Sequence, residues 1–284
     1  MQLFTTPAPL QAYLFEQRKQ NKKIGLVPTM GALHEGHLQL VTSCVKAADI
    51  TVCSIYINPT QFNNPDDLKN YPRDFEGDVE KLKLMGCQAV FYPDNETMYP
   101  EESKVTFHFG EIESVMEGKY RPGHFSGVAL VVSKLFHIVQ PDLAFFGMKD
   151  LQQLVIIRQL VQDLYFPLEI VAVPIVRESD GLAMSSRNQL LDKHQRTLAA
   201  KLHQTLRTVE QGLLSGALVK EAIQSGIDLL TPFPSIRLEY LKVVHPGSLQ
   251  EVPADQPAST PMFICIAAFL GEVRLIDNLE VLHD

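Results

Sequence analysis

The sequence predicts an α/β protein in which a parallel sheet precedes a smaller α+β domain. Short apolar segments alternate with amphipathic segments of helical spacing over the first 175 residues, which is typical of a parallel sheet covered on both faces. From residue 176 onward, two long helical segments come before three strand-like ones. A chain of 284 residues, 45% of them apolar, can form one large core or two unequal ones.

The strands and helices of the first domain follow from residue type and spacing. Short β-branched or aromatic segments bounded by Gly, Pro or polar residues predict strands at 24–27, 50–57, 89–92, 143–146 and 168–173. Apolar residues at helical spacing predict helices at 37–48, 74–85, 125–139 and 151–164. Residues 58–71 are rich in Asn, Pro and Asp and are predicted to be a loop.

The second domain is predicted to contain two helices, 195–214 and 219–230, and three strands, 236–244, 262–270 and 273–278. The pattern changes near Pro174, which predicts domains at 1–175 and 176–284. We expect the smaller domain to cover the active site.

Charge, cysteines and hydropathy exclude several classes of protein. The formal net charge of −8 argues against a general nucleic-acid binder. Cys44, Cys53, Cys87 and Cys265 form no CxxC pair and are predicted to be buried, reduced thiols. The N-terminus lacks the pattern of a signal peptide, and no apolar segment reaches the roughly 18 residues that span a bilayer. We therefore expect a cytoplasmic protein without membrane contact.

The first polar segment of interest, residues 28–37, links the first strand to the first helix. Gly31 and Gly36 let the backbone approach a ligand closely, and a helix N-terminus suits phosphate. His34 and His37 can donate hydrogen bonds to phosphate oxygens there. The alternatives are a metal site, which the three-residue spacing disfavours, and ordinary helix capping. Phosphate binding is the favoured interpretation.

Residues 145–153 again connect a strand to a helix. Lys149 can supply a point charge to phosphate. Asp150 can cap the helix or help to hold Mg²⁺. The amide of Gln153, one turn into the helix, can hold a carboxylate or hydroxyl of a substrate, or it can be a solvated surface residue.

Three further polar segments are candidates to contact a ligand. Ser185, Ser186 and Arg187 can bind a triphosphate, although such residues are also common at helix starts. Asn58 and Gln61 follow the second strand and should face the same cleft. Residues 118–127 are glycine-rich and basic, as in a mobile flap over phosphates or in an ordinary surface loop.

Taken together, six segments resemble the pantothenate synthetase (pantoate–β-alanine ligase) family in the same order: PTMGALHEGH, YINPTQF, NYPRD, GKYRPGHFSGV, FFGMKDLQQ and MSSRN. They lie between Pro28 and Asn188. The resemblance implies a Rossmann-like domain of the adenylate-forming nucleotidyltransferases, in which His34, Gly36 and His37 form the HxGH element. It also implies a homodimer that uses ATP and Mg²⁺ and makes pantothenate for coenzyme A.

The resemblance also implies roles for individual residues. Four residues would be catalytic: His34, His37, Lys149 and Arg187. Of these, His37 would be the proton donor. Pantoate would bind to Gln61, Gln153 and Asn58, with Gln61 also near β-alanine. No fixed metal site is implied; Mg²⁺ would arrive with ATP, and Asp150 is a candidate to assist it. The residues implied to line the ATP site are Met30, Gly31, Ala32, Leu33, His34, Glu35, Gly36, His37, Gly147, Met148, Lys149, Asp150, Val176, Met184, Ser185, Ser186 and Arg187.

One position departs from the family's pattern. Many members carry Glu where this chain has Met148, and a thioether cannot replace a carboxylate as an acceptor. Since Lys149 and Asp150 are retained, we expect altered ATP contacts and retained activity.

The expected reaction is attack of the pantoate carboxylate on the α-phosphorus of ATP, followed by attack of the β-alanine amine on pantoyl-adenylate. There are two rival functions: a nucleotidyltransferase that shares the HxGH element and releases a stable nucleotide conjugate, and a non-catalytic nucleotide sensor on the same fold. A tRNA ligase is disfavoured by the acidic charge and by the short chain.

Overall fold

The computed structural model describes residues 1–257 and 261–281 and divides into two compact units. The first unit comprises Met1–Met148 and Gln152–Pro174, and the second comprises Lys149–Leu151 together with the chain from Ile175 onward.

The first unit contains a six-stranded sheet whose neighbouring strands are all parallel, in the order β1-β4-β3-β2-β5-β6. This sheet confirms the predicted Rossmann-like fold class. Its strands are β1 (Gln2–Phe4), β2 (Ile24–Thr29), β3 (Ile50–Ile55), β4 (Ala89–Phe91), β5 (Leu143–Gly147) and β6 (Glu169–Val173).

Eight helices accompany this sheet in the described chain. They are α1 (Pro7–Arg18), α2 (Glu35–Ala47), α3 (Pro65–Asn70), α4 (Phe75–Leu84), α5 (Asn95–Met98), α6 (Met116–Tyr120), α7 (His124–Val139) and α8 (Leu151–Asp163). Short 3₁₀ helices lie at Pro59–Gln61, Gly110–Glu113 and Met148–Asp150.

The sheet is buried on both faces because side chains alternate along each strand. Leu26, Val52 and Phe146 pack into a cluster with apolar residues of α1, α7 and α8. Val27 and Cys53, one residue further along their strands, pack into a second cluster with residues of α2 and α4. The near-continuous apolar strands of the sequence are therefore the signature of a sheet between two helix layers.

The prediction of a loop over residues 58–71 is wrong in part, because this segment contains a 3₁₀ helix and α3. Pro59 and Pro65 each occupy the first turn of a helix, where proline loses no hydrogen bond. Asn64 caps α3 by accepting from the N–H of Asp66 at 2.9 Å. The Asn-Pro pairs here start helices instead of breaking them.

The sequence pattern did not predict β1 and α1. Strand β1 has three residues, none of them buried, and it exists through its pairing with β4. In α1 only Leu10 and Leu14 are buried, so its apolar stripe is too narrow to stand out from the sequence.

The second unit has the predicted α+β composition. A 3₁₀ helix at Ser186–Leu190 precedes α9 (Lys193–Leu214) and α10 (Val219–Leu230). The strands β7 (Ile236–Val244), β8 (Met262–Leu270) and β9 (Val273–Val281) form an antiparallel sheet in the order β7-β8-β9. Across the described parts of both units, no helix is long and apolar enough to cross a membrane.

All four cysteines are buried and none of them forms a disulfide bond, as predicted. Burial raises the pKa of Cys44 to about 12 and that of Cys87 to about 11. Because the thiolate is the nucleophile, we expect iodoacetamide at pH 8 to leave the native protein unlabelled while it labels all four thiols in urea. Mass spectrometry counts the modified thiols. Comparable labelling of Cys44 or Cys87 in the native and the urea-treated samples would contradict the buried, protonated state.

Candidate active site

The order of the strands predicts that a ligand binds at the carboxyl ends of β2 and β5. The chain runs from β2 to β3 and β4 on one side, and β5 pairs with β2 on the other side before leading to β6. Ligands of open parallel sheets bind where the strand order changes direction in this way. The segment that follows β2 begins at Met30, and β5 ends at Gly147.

The turn after β2 is held by a buried carboxylate from α4. Gly31 and Ala32 have positive φ angles of 85° and 50°, which leaves successive backbone N–H groups pointing the same way. Asp78 accepts from the N–H of Ala32 at 2.8 Å and from that of Leu33 at 2.7 Å. Burial raises the pKa of Asp78, while these two hydrogen bonds and Lys81 act against that rise. The shape of the turn therefore depends on α4.

Asp78 is a residue that the sequence interpretation missed, although a signal existed. It lies in an amphipathic helix four residues before the fully buried Leu82, on the face that packs inward. An aspartate at such a position is seldom buried unless it has partners. Its partners are backbone groups more than 40 positions away along the chain, which no local pattern predicts.

His34 and His37 lie at the start of α2 and form a reciprocal cap. The Nδ1 of His34 accepts from the N–H of Gly36 at 3.1 Å, and the Nδ1 of His37 accepts from the N–H of His34 at 3.4 Å. The two rings lie 4.1 Å apart between centroids. Because each Nδ1 is an acceptor, the proton of the neutral ring is on Nε2.

Because of this cap and Asp78, four backbone N–H groups near the start of α2 are already engaged in hydrogen bonds. The N–H groups of Ala32, Leu33, His34 and Gly36 are all bonded within the chain. The sequence left capping and phosphate binding as alternatives for the two histidines, and the structure shows capping by Nδ1. An imidazole that caps with Nδ1 can still donate from Nε2, so the two roles are compatible.

Asn58 and Gln61 lie together at the end of β3, as expected from their place after that strand. The Nδ2 of Asn58 donates to the Oε1 of Gln61 at 3.1 Å and to the carbonyl of Gly127 at 3.1 Å. The Oδ1 of Asn58 accepts from the hydroxyls of Tyr99 at 2.8 Å and Thr60 at 3.0 Å. Asn58 is 1% exposed, so its amide is committed to fixing its neighbours.

The side-chain NH₂ of Gln61 makes a weaker hydrogen bond than that of Asn58. Its Nε2 lies 3.1 Å from the sulfur of Met30, and a thioether is a weak acceptor. A carboxylate or hydroxyl could replace this contact with a stronger hydrogen bond. Gln61 is therefore suited to bind a polar group of a small molecule.

Residues 118–127 do not form one continuous flap or loop. Residues 124–127 begin α7, and Gly127 packs so closely on Thr60 that a Cβ would lie 2.2 Å from its carbonyl oxygen. The Nδ1 of His124 lies 2.8 Å from the backbone carbonyl of Gln61, and Arg121 donates to the same carbonyl at 3.2 Å. This part of the segment supports Gln61, a connection that the sequence did not predict.

Gln153 is half-buried in the first turns of α8. Its neighbour Gln152 is 3% exposed and ties the α6 region to α8, donating to the carbonyls of Ile112 at 2.7 Å and Val115 at 2.9 Å. Met148, at the departure from the family pattern, packs against the apolar cluster beneath the sheet. A thioether suits that contact better than a carboxylate would.

The second unit carries the remaining predicted residues. Lys149 is 17% exposed, and its Nζ lies 3.7 Å from the carboxylate of the exposed Asp150. The side chain of Asn278 donates to the carbonyl of Lys149 at 2.9 Å. This hydrogen bond fixes the backbone at Lys149 to β9.

The segment at residues 176–187 of the second unit is held in place by hydrogen bonds within that unit. The guanidinium of Arg177 bonds the buried Asp277 at 2.6 and 3.1 Å and the carbonyl of Gly181 at 3.0 Å. Met184 donates to the carbonyl of Val176 at 2.9 Å. Three predicted residues follow in this segment. Ser185 caps the 3₁₀ helix by accepting from the N–H of Arg187 at 3.3 Å. Ser186 is buried and Arg187 is half-buried.

Comparison with known proteins gives full-length matches. The family model for pantoate-beta-alanine ligase matches residues 2–280. A pantothenate synthetase of Cytophaga hutchinsonii is 43% identical over 98% of both chains. Among solved structures, a pantothenate synthetase from Thermus thermophilus is 42% identical with a TM-score of 0.93, covering 99% of both chains. A ligase from Francisella tularensis, complexed with beta-gamma ATP and beta-alanine, is 33% identical over 98% of this chain and 97% of its own, with a TM-score of 0.81.

Proposed function

Because this chain belongs to the pantoate–β-alanine ligase family, we propose that it condenses pantoate with β-alanine through a pantoyl-adenylate, with ATP as co-substrate. A carboxylate does not react with an amine directly because its leaving group would be oxide. Attack of the pantoate carboxylate on the α-phosphorus of ATP releases pyrophosphate and turns that oxygen into part of a good leaving group. The β-alanine amine then attacks the acyl carbon, AMP departs, and the amine gives up a proton.

The observation that carries the proposal is the histidine pair at the start of α2. Each Nδ1 accepts a backbone N–H, so each neutral ring has its proton on Nε2. Two neighbouring N–H donors can stabilise negative charge as it moves onto the phosphate oxygens. We assign this role to His34 and His37, with His37 as the proton donor. The backbone donors of the same turn are engaged within the chain, so the side chains supply the hydrogen bonds.

Pantoate is proposed to bind beside β3. The amide of Gln61 would exchange its weak contact with the Met30 sulfur for a hydrogen bond to the substrate, and Gln153 would supply a second amide. Asn58 acts mainly by fixing the amide of Gln61 at 3.1 Å. Gln61 is also the group assigned to β-alanine.

Positive charge to stabilise the α-phosphate of ATP during the transfer of the adenylyl group is assigned to Lys149 and Arg187. The remaining ATP contacts are assigned as the resemblance implies, including those of Ser185 and Ser186. Mg²⁺ is expected as part of the ATP substrate, where it neutralises phosphate charge, and the exposed Asp150 carboxylate is a candidate to assist it. The resemblance further implies a cytoplasmic homodimer.

Product analysis with Mg-ATP tests the proposal. We expect pyrophosphate release to require pantoate and AMP release to require β-alanine. Omitting β-alanine should stop the reaction after about one equivalent of pyrophosphate per enzyme, because pantoyl-adenylate stays bound. Adding β-alanine should then release AMP and pantothenate together.

Two other results would each support a rival function. A stable nucleotide conjugate formed on a phosphorylated acceptor, without AMP, would indicate a nucleotidyltransferase. ATP binding without pyrophosphate release under any combination of substrates would indicate a nucleotide sensor. Either result would contradict the ligase proposal.

A further inference from the structure

The residue before the histidine pair is fixed at three points. The N–H of Leu33 donates to Asp78 at 2.7 Å, and its carbonyl accepts from the Nζ of Lys81 at 2.8 Å. Its side chain is 2% exposed and packs in the cluster beneath α2. The backbone therefore enters His34 from a peptide unit with little freedom to move.

Without Asp78, the turn would present the N–H groups of Ala32 and Leu33 side by side, with no acceptor for either. Successive backbone N–H groups in a turn form a concavity that suits phosphate or carboxylate. Here the concavity is filled from within the protein, since Asp78 accepts from Ala32 and Leu33 and is 1% exposed. A substrate phosphate cannot use the same donors. The internal carboxylate leaves the imidazoles of His34 and His37 as the groups that this turn presents.

We propose that Asp78 is a positioning residue, whose buried carboxylate occupies the anion-binding turn at residues 31–33 and so orients His34 and His37 toward the nucleotide phosphates. Asp78 itself touches no substrate. This inference rests on the proposed function for its catalytic consequence, but the orientation of the imidazoles can be measured without any reaction.

The test uses Asp78→Asn in the full-length protein. An amide can accept one of the two N–H groups, but its NH₂ would face the other one. We expect pantoate-dependent exchange of pyrophosphate into ATP to fall between about 10-fold and 100-fold, the range for a displaced donor. The decrease should appear in kcat more than in KM for pantoate, because pantoate is assigned to Gln61 and Gln153. The matched control is Glu80→Gln, the same chemical change at an exposed position of α4, which should behave as wild type.

A second half-reaction separates positioning from general damage. With synthetic pantoyl-adenylate and β-alanine, AMP release does not involve the β- and γ-phosphates. We expect Asp78→Asn to change this rate less than about threefold. An equal decrease in both half-reactions would indicate a merely structural role and would overturn the proposal.

Nuclear magnetic resonance of the imidazoles gives a readout that does not depend on activity. In the wild-type protein, ¹H–¹⁵N correlations should show the Nε2–H tautomer for His34 and His37. In Asp78→Asn a mixture of tautomers is expected, since the cap at the start of α2 loosens. Unchanged tautomers together with unchanged exchange would overturn the proposal. If wild-type protein catalysed no exchange at all, the proposed function would fail, and the spectra alone would decide the role of Asp78.

Lys81→Met provides a second variant in case Asp78→Asn does not fold. The side chain of Lys81 is 38% exposed, so the protein should tolerate this substitution. The substitution removes the hydrogen bond from Lys81 to the carbonyl of Leu33. We expect the same selective decrease in pyrophosphate exchange, of smaller size. Wild-type exchange in a folded Lys81→Met protein, with unchanged imidazole spectra, would contradict the bracing of this turn from α4.

Discussion

Replacing His37 by alanine is expected to lower the rate of pyrophosphate release about 100-fold or more, the size found when one transition-state donor is removed. The Nε2–H of His37 would no longer meet the charge that develops on the phosphates. Single-turnover measurement of pyrophosphate, with saturating pantoate and ATP, follows this step directly. Substrate affinity should change much less, because the interaction is strongest in the transition state.

Two conservative variants separate the chemical role of His37 from its capping role. Asparagine can keep the acceptor that replaces Nδ1 and so preserve the hydrogen bond from the N–H of His34, but it lacks a donor at the position of Nε2. Glutamine can place a donor near Nε2 and loses the cap. We expect His37→Asn to be as slow as His37→Ala, and His37→Gln to retain more activity.

His108→Ala is the control, because the side chain of His108 is 80% exposed and lies outside the proposed site. It should have the wild-type rate. A folded His37→Ala protein that released pyrophosphate at a rate close to that of the wild type would remove His37 from the mechanism. Circular dichroism and thermal unfolding establish that each variant is folded.

Replacing Lys149 by methionine is expected to slow the same step about 100-fold. Methionine keeps most of the length and apolar character of the side chain and removes only the charge. Lys149 is largely buried, at 17% exposed, and charge interactions are stronger where water is excluded. We expect Lys149→Arg to be faster than Lys149→Met but slower than wild type, since a planar guanidinium does not reproduce the geometry of an ammonium group.

Two controls bear on the interpretation of Lys149→Met. Lys46→Met makes the same change at an exposed position in the last turn of α2 and should leave the rate unchanged. Asp150→Asn removes the ion pair at 3.7 Å while the lysine charge remains, and we expect a smaller decrease. A rate for Lys149→Met within twofold of wild type would show that the charge of Lys149 does not act on the phosphates of ATP in this step.

The resemblance and the residue patterns together predicted most of the fold and named most of the candidate site. Parallel strands between helices were recognisable because buried strands need continuous apolar segments, and five of the six were placed. The sixth, β1, has no buried residue, so its pattern carries no signal of its own. The Asn, Pro and Asp content of residues 58–71 predicts a loop, whereas Pro59 and Pro65 stand in the first turns of helices, where proline is tolerated.

Residue type and spacing were enough to predict the alternation of strands and helices, the family, and the polar segments that follow β2, β3 and β5. These properties depend on residue type and on short-range spacing. The use of the hydrogen-bond donors could be read from the three-dimensional structure alone. Asp78 accepts from the N–H groups of Ala32 and Leu33, the two histidines cap α2 through Nδ1, and Asn58 donates to Gln61. A hydrogen bond depends on the distance and direction between two groups, which spacing along the chain does not specify. The order of strands in the sheet brings α4 to a turn 46 residues earlier in the chain.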